Sequence, residues 1–105
     1  MILLGFTASD SCEWCQRFKK DVLDQEEFIE FSRRSLVLVE VDYPKDERQS
    51  VALKRANAEL KKRYLVGGYP TFVLLDSSGE EIGRQVGYLR GGPGAFLKKL
   101  RSFVK

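Results

Sequence analysis

The chain has 105 residues, a net charge of +3 and a hydrophobic share of 43%. That is enough for one folded domain over residues 1–105 with a real core, and too apolar for disorder. Histidine is absent and there are two cysteines, so a Ser-His-Asp triad, a Cys-His pair and a four-thiolate metal site cannot be built within the chain. The mild charge calls for neither nucleic acid nor a membrane surface as partner, and apolar runs such as Leu36–Val39 are too short to span a bilayer.

Ile2–Thr7 reads as a strand, followed by a polar turn, Ala8-Ser9-Asp10-Ser11, rich in capping residues. A helix is expected from about Cys12 to Leu23, with Cys15, Phe18 and Val22 on one face. Asp24-Gln25-Glu26-Glu27 suits a new helix start, and Phe28, Ile29 and Phe31 anchor that short helix. Ser35–Asp42 is the next strand, and its continuous Leu36–Val39 run predicts a central position covered on both faces. After the Tyr43–Asp46 loop, Gln49–Tyr64 reads as a helix with Leu53, Ala56, Leu60 and Tyr64 on its buried stripe. Thr71–Leu75 and Glu80–Tyr88 form a hairpin around Asp76-Ser77-Ser78-Gly79, with Ile82 and Val86 facing inward. A last helix runs from Ala95 to about Val104, burying Phe96, Leu97, Leu100 and Phe103. The order β-α(α)-β-α-β-β-α combines a βαβ unit with a ββα unit. The basic clusters at Arg33-Arg34, Lys61-Lys62-Arg63 and Lys98-Lys99 read as solvated helix faces.

The chemistry lies in Cys12-Glu13-Trp14-Cys15, a C-x-x-C at the predicted start of the first helix. Residues three apart in a first helical turn are close enough to bridge. A bridge across so small a loop removes little unfolded-chain entropy, so it serves reversible chemistry better than stability. Unpaired amides and the dipole at a helix start favour a thiolate, so cysteines there ionise below the ordinary value of about 8.5. Cys12, at the tip, is assigned as attacking nucleophile, and the inward-facing Cys15 as resolving thiol. Two inert buried cysteines, or half of an intermolecular metal site, are the competing readings.

Two stretches then identify a family. Phe6-Thr7-Ala8-Ser9-Asp10-Ser11-Cys12-Glu13-Trp14-Cys15 and Gly68-Tyr69-Pro70-Thr71-Phe72 resemble the thioredoxin superfamily, and bacterial thioredoxin-like and disulfide-isomerase-like domains in particular. The resemblance implies an α/β thioredoxin fold, a central mixed four-stranded sheet with helices on both faces. It implies that Cys12 and Cys15 are the redox pair, that Pro70 is the cis-proline beside them, and that Trp14 and Tyr69 meet an extended substrate segment. It further implies protein thiols and disulfides and an unidentified redox partner as partners of a monomer, with no cofactor, no nucleic acid and no membrane insertion. A periplasmic or otherwise exported location is expected, although the chain contains no signal peptide and a cytoplasmic one stays open.

The departures are informative. Thioredoxins commonly bury an acid beneath the resolving cysteine; the matching residue is Gly5, and Leu38 stands near the place of its usual basic companion. Asp10 and Glu13 are the nearest carboxylates by sequence and become the candidates for proton transfer with Cys15. As acids beside the pair they oppose the helix-start effect, so only a moderate lowering of the Cys12 pKa is expected. A reducing or isomerising role is therefore expected rather than strong oxidation. The alternatives are a thioredoxin-fold binding module with dispensable cysteines and, ranked lower, a glutathione-dependent activity.

Overall fold

The structure, a computed structural model, describes residues 1–46 and 48–104. Along the chain come β1 (Ile2–Thr7), α1 (Glu13–Phe18), a π-helical turn (Lys19–Leu23), α2 (Glu26–Ser35), β2 (Val37–Asp42), α3 (Val51–Arg63), β3 (Thr71–Leu75), β4 (Glu81–Val86) and α4 (Gly92–Phe103). The sheet order is β2-β1-β3-β4. β2 runs parallel to β1, placing Glu40 opposite Gly5 and Asp42 opposite Thr7. β3 is antiparallel to β1, and β4 to β3. This is the mixed four-stranded sheet expected of the βαβ-plus-ββα order.

Alternation along the strands splits the core into two layers. Leu3, Phe72 and Leu74 pack with Phe18, Val22, Phe28, Phe96, Leu97 and Leu100 from α1, the π-helical turn, α2 and α4. Leu4, Phe6, Val73 and Leu75 point the other way and meet Leu60 of α3 and Tyr64 at its C-terminal cap, with Val66, Tyr43 and Tyr69. Helices therefore cover both faces. Among the described residues, no helix is long and apolar enough to cross a membrane.

Four expectations are corrected. The strand predicted over Ser35–Asp42 is an edge strand rather than a central one, and Val37 is 60% exposed. The central strands are β1 and β3, because the hairpin adds on the far side of β1. The helix predicted over Cys12–Leu23 begins one residue later, with Cys12 as its N-cap, and changes at Lys19 into a π-helical turn. That turn closes with the Asp24 amide donating to the Lys19 carbonyl at 2.8 Å. In α3, Leu53 is 47% exposed and Ala56 is exposed too; the sheet layer is met by Leu60 and by Tyr64, the residue that caps the helix. Val86 faces solvent, while Ile82 packs on the core as expected.

Phe18 fixes α1 to this frame. Its ring lies 4.9 Å from Phe72, 5.0 Å from Phe96 and 5.4 Å from Tyr88. Replacing Phe18 with Ala is expected to cost about 3–5 kcal/mol, read as a lowered midpoint of urea unfolding. A loss below about 1 kcal/mol would show that α1 does not depend on this anchor.

Candidate active site

The loop between β1 and α1 is tied down residue by residue. The Ala8 carbonyl accepts from the amides of Ser11 at 3.2 Å and Cys12 at 2.9 Å. The carboxylate of Asp42, at the end of β2, accepts from the Ser9 amide at 2.9 Å and the Ser9 hydroxyl at 2.5 Å. Asp10 accepts from the Lys45 and Asp46 amides at 2.8 Å each. Both ties bind the loop to the chain segment leaving β2.

Cys12 then enters the helix in extended conformation, and its sulfur accepts from the Cys15 amide at 3.2 Å. A first-turn amide that would otherwise lack a partner is thus spent on the Cys12 sulfur. Cys12 and Cys15 form a disulfide across a Cα separation of 5.2 Å. Cys12 is half-buried, whereas Cys15 is only 6% exposed and shares its face with buried Phe18 and Val22. The outer and inner sulfurs follow from the helical spacing.

The Tyr69–Pro70 peptide is cis, and Pro70 and Cys15 line one cavity of about 150 Å³. Pro70 is buried, and its carbonyl accepts from the Gly87 amide at 2.7 Å. Tyr69 stacks on Tyr43 at 5.4 Å, with the Lys61 ammonium 5.1 Å from one ring and 5.6 Å from the other. Trp14 is 52% exposed and so is not core packing. Its ring leans on Tyr88 at 5.5 Å, under the Arg17 guanidinium at 5.2 Å, and the Tyr88 hydroxyl donates to Asp21 at 2.5 Å. Of the expected surface residues, Pro70 shares the cavity with Cys15, Trp14 lies between the two cysteines in sequence, and Tyr69 packs on Tyr43.

The proton-transfer candidates sit elsewhere. Asp10 is engaged with the 45–46 backbone, and Glu13 forms an exposed ion pair with Arg17 at 3.0 Å. Neither lines the cavity at Cys15, whose walls include Gly5, Leu38, Glu40, Lys19, Asp24 and Phe72. Gly5 and Leu38 do face that cavity, as the resemblance requires of the places that usually carry an acid and a base. Sequence reasoning missed Glu40, Asp42, Tyr43 and Tyr88. The signal for Glu40 was its spacing of two from Leu38 on one strand. Among the described residues, no group of three or more Cys, Asp or Glu could hold a metal ion.

The profile of the thioredoxin-like domain matches residues 1–103. The chain belongs to the thioredoxin-like family. It is 38% identical over 104 residues to the disulfide bond reductase DsbH of Chlamydia pneumoniae, covering 99% of this chain and 62% of that protein. The thioredoxin-related protein DsbJ of the same organism is 32% identical over 83 residues, 79% of this chain and 24% of DsbJ. This thioredoxin-like chain therefore spans less than two thirds of either relative. It superposes on the solved structure of DsbH oxidoreductase with a TM-score of 0.92 at 37% identity, covering 98% of this chain and 71% of that one. A thioredoxin from Thermus thermophilus gives 0.69 at 29% identity, over 96% of this chain and 71% of the other.

Beside the site, burial pushes the Tyr43 hydroxyl up to about 12, with Tyr69 next to it adding to the rise. The hydrogen bond to the Asp21 carboxylate raises Tyr88 as well. A tyrosine whose folded pKa lies above its unfolded value of about 10 stabilises fully below pH 10 and loses that contribution as pH rises toward the folded value. Urea unfolding between pH 9 and about 11.5 is expected to show falling stability, and Tyr43→Phe to flatten the fall. An unchanged slope in Tyr43→Phe would contradict this.

Proposed function

We propose that this chain is a thiol–disulfide oxidoreductase acting on protein disulfides, in the reducing or isomerising direction rather than as a strong oxidant. The observation that carries this is a bridgeable pair with one sulfur half-exposed and held by a helix-start amide, the other buried behind it. The name of DsbH, a disulfide bond reductase, supports the reducing direction.

In the reaction, the Cys12 thiolate attacks a substrate disulfide, forms a mixed disulfide and expels one substrate thiolate. Cys15 loses its proton and attacks the Cys12 sulfur, and the second substrate thiolate leaves. The protein gives up two electrons and becomes the Cys12–Cys15 disulfide; the substrate disulfide becomes two thiols. An extended substrate segment lies along Tyr69 and Pro70, with Trp14 at its side. Electrons reside on the sulfurs, so no cofactor enters these steps. We place the protein in the periplasm or another exported compartment, on the resemblance to exported domains with the same motif.

Insulin reduction by dithiothreitol is the direct test. The parent is expected to accelerate it, and Cys12→Ser to abolish the acceleration. Cys15→Ser is expected to accumulate a mixed disulfide through Cys12. Equal turnover in all three proteins would reject the enzyme and favour a binding module; trapping through Cys15 would reverse the two roles.

A further inference from the structure

When Cys15 resolves the mixed disulfide it is a buried thiol and must pass a proton to something. Where thioredoxins commonly supply an acid from below, this chain has Gly5, which carries no side chain. A Cβ at Gly5 would stand 3.3 Å from the Phe72 ring, tighter than ordinary contact. Phe72 is buried in the layer that anchors α1, so a side chain at Gly5 would need that ring to shift by a few tenths of an ångström.

The cavity of about 150 Å³ at Cys15 has another source of one. Its ionisable walls, besides Cys15, are Lys19, Asp24 and Glu40. The Lys19 ammonium touches both Asp24 oxygens at 2.9 Å, so those two satisfy each other. Asp42, two residues beyond Glu40 on the same strand, spends both oxygens on Ser9. The Glu40 carboxylate makes no hydrogen bond or ion pair among the described residues. Its partner across the sheet is Gly5, so no side chain on β1 fills the space beside it. Cys15 is buried and Glu40 exposed, so one cavity joins the thiol to an acid open to solvent. Water occupies about 30 Å³ per molecule in the liquid, and the walls offer Thr7, Ser9 and Gln16 as further polar partners.

We propose that Glu40 accepts the Cys15 proton, through water in this cavity, as Cys15 attacks the Cys12 sulfur. This inference rests on the oxidoreductase reading. In the step, the Cys15 S–H bond breaks and its proton goes to the Glu40 carboxylate by way of water. The Cys15 sulfur bonds to the Cys12 sulfur, and the bond from Cys12 to the substrate sulfur breaks with its electron pair leaving on the substrate thiolate. Glu40 then returns the proton to solvent, to which it is open. The acid has moved from the central strand to the edge strand, where an exposed carboxylate costs no burial.

Stopped-flow oxidation of the fully reduced protein by excess dithiobis(nitrobenzoate) separates the two sulfurs. The first thionitrobenzoate released reports attack by Cys12, and the second reports resolution by Cys15. Glu40→Gln is expected to slow the second phase by about a hundredfold near pH 6.5, at the low end of the usual general-base contribution. The deficit should shrink as pH rises toward the ordinary thiol pKa of about 8.5, and the first phase should stay unchanged, which also reports an intact fold. Asp24→Asn should leave both phases as they are. A second phase equal to the parent's at every pH, a slowing that does not vary with pH, or the same effect in Asp24→Asn would overturn the proposal. None of those outcomes touches the oxidoreductase reading, which falls only if Cys12→Ser still reduces insulin.

Discussion

The hydrogen bond from the Cys15 amide to the Cys12 sulfur governs the rest of this molecule. It exists because Cys12 stands just outside the first helical turn, in extended conformation, with a donor pointing at it. A sulfur there is stabilised as a thiolate by a group already fixed in place. A fixed donor needs a fixed helix, and α1 has only six residues. Its stability is tertiary: Phe18 and Val22 are fully buried between the sheet and α4, and short helices depend on such packing.

The same requirement explains the polar ties around the site. Asp42 and Asp10 lock the loop before Cys12 onto the chain segment at the end of β2. The Gly87 amide holds the Pro70 carbonyl from the β4 side. The disulfide is therefore approached by two backbone segments, each fastened to a different strand. A side chain at Gly5 would crowd Phe72, and the cavity beside Cys15 reaches Leu38 and Glu40 of β2. Core packing on one face of the sheet and acid–base chemistry at its edge are then parts of a single arrangement.

Much of this was legible in the residues. The i, i+3, i+7 spacing of Cys15, Phe18 and Val22 encodes which sulfur is buried, and the C-x-x-C with Tyr69-Pro70-Thr71 identifies both segments at the disulfide. The edge position of β2 was hidden because an apolar run carries the same pattern whether a strand is central or not. Pairing of β1 with β3 decides that, and it is a long-range fact. The exposure of Leu53 was hidden for a similar reason: helical periodicity gives the apolar stripe but not how much of it reaches the sheet. Asp10 and Glu13 are near Cys15 in sequence, yet the loop ties turn one toward residues 45–46 and Arg17 holds the other in solvent. Glu40 is 25 positions from Cys15, and only the parallel register of β1 and β2 brings it to the same cavity.

If the helix-start amide sets which sulfur reacts, the two cysteines of the reduced protein must differ in reactivity well below the ordinary thiol pKa of about 8.5. Reduced protein treated with a limiting amount of iodoacetamide at about pH 6, then mapped by peptide mass, measures that difference. The account predicts modification at Cys12 with Cys15 left as the free thiol. Modification of Cys15 first, or of both equally, would contradict it.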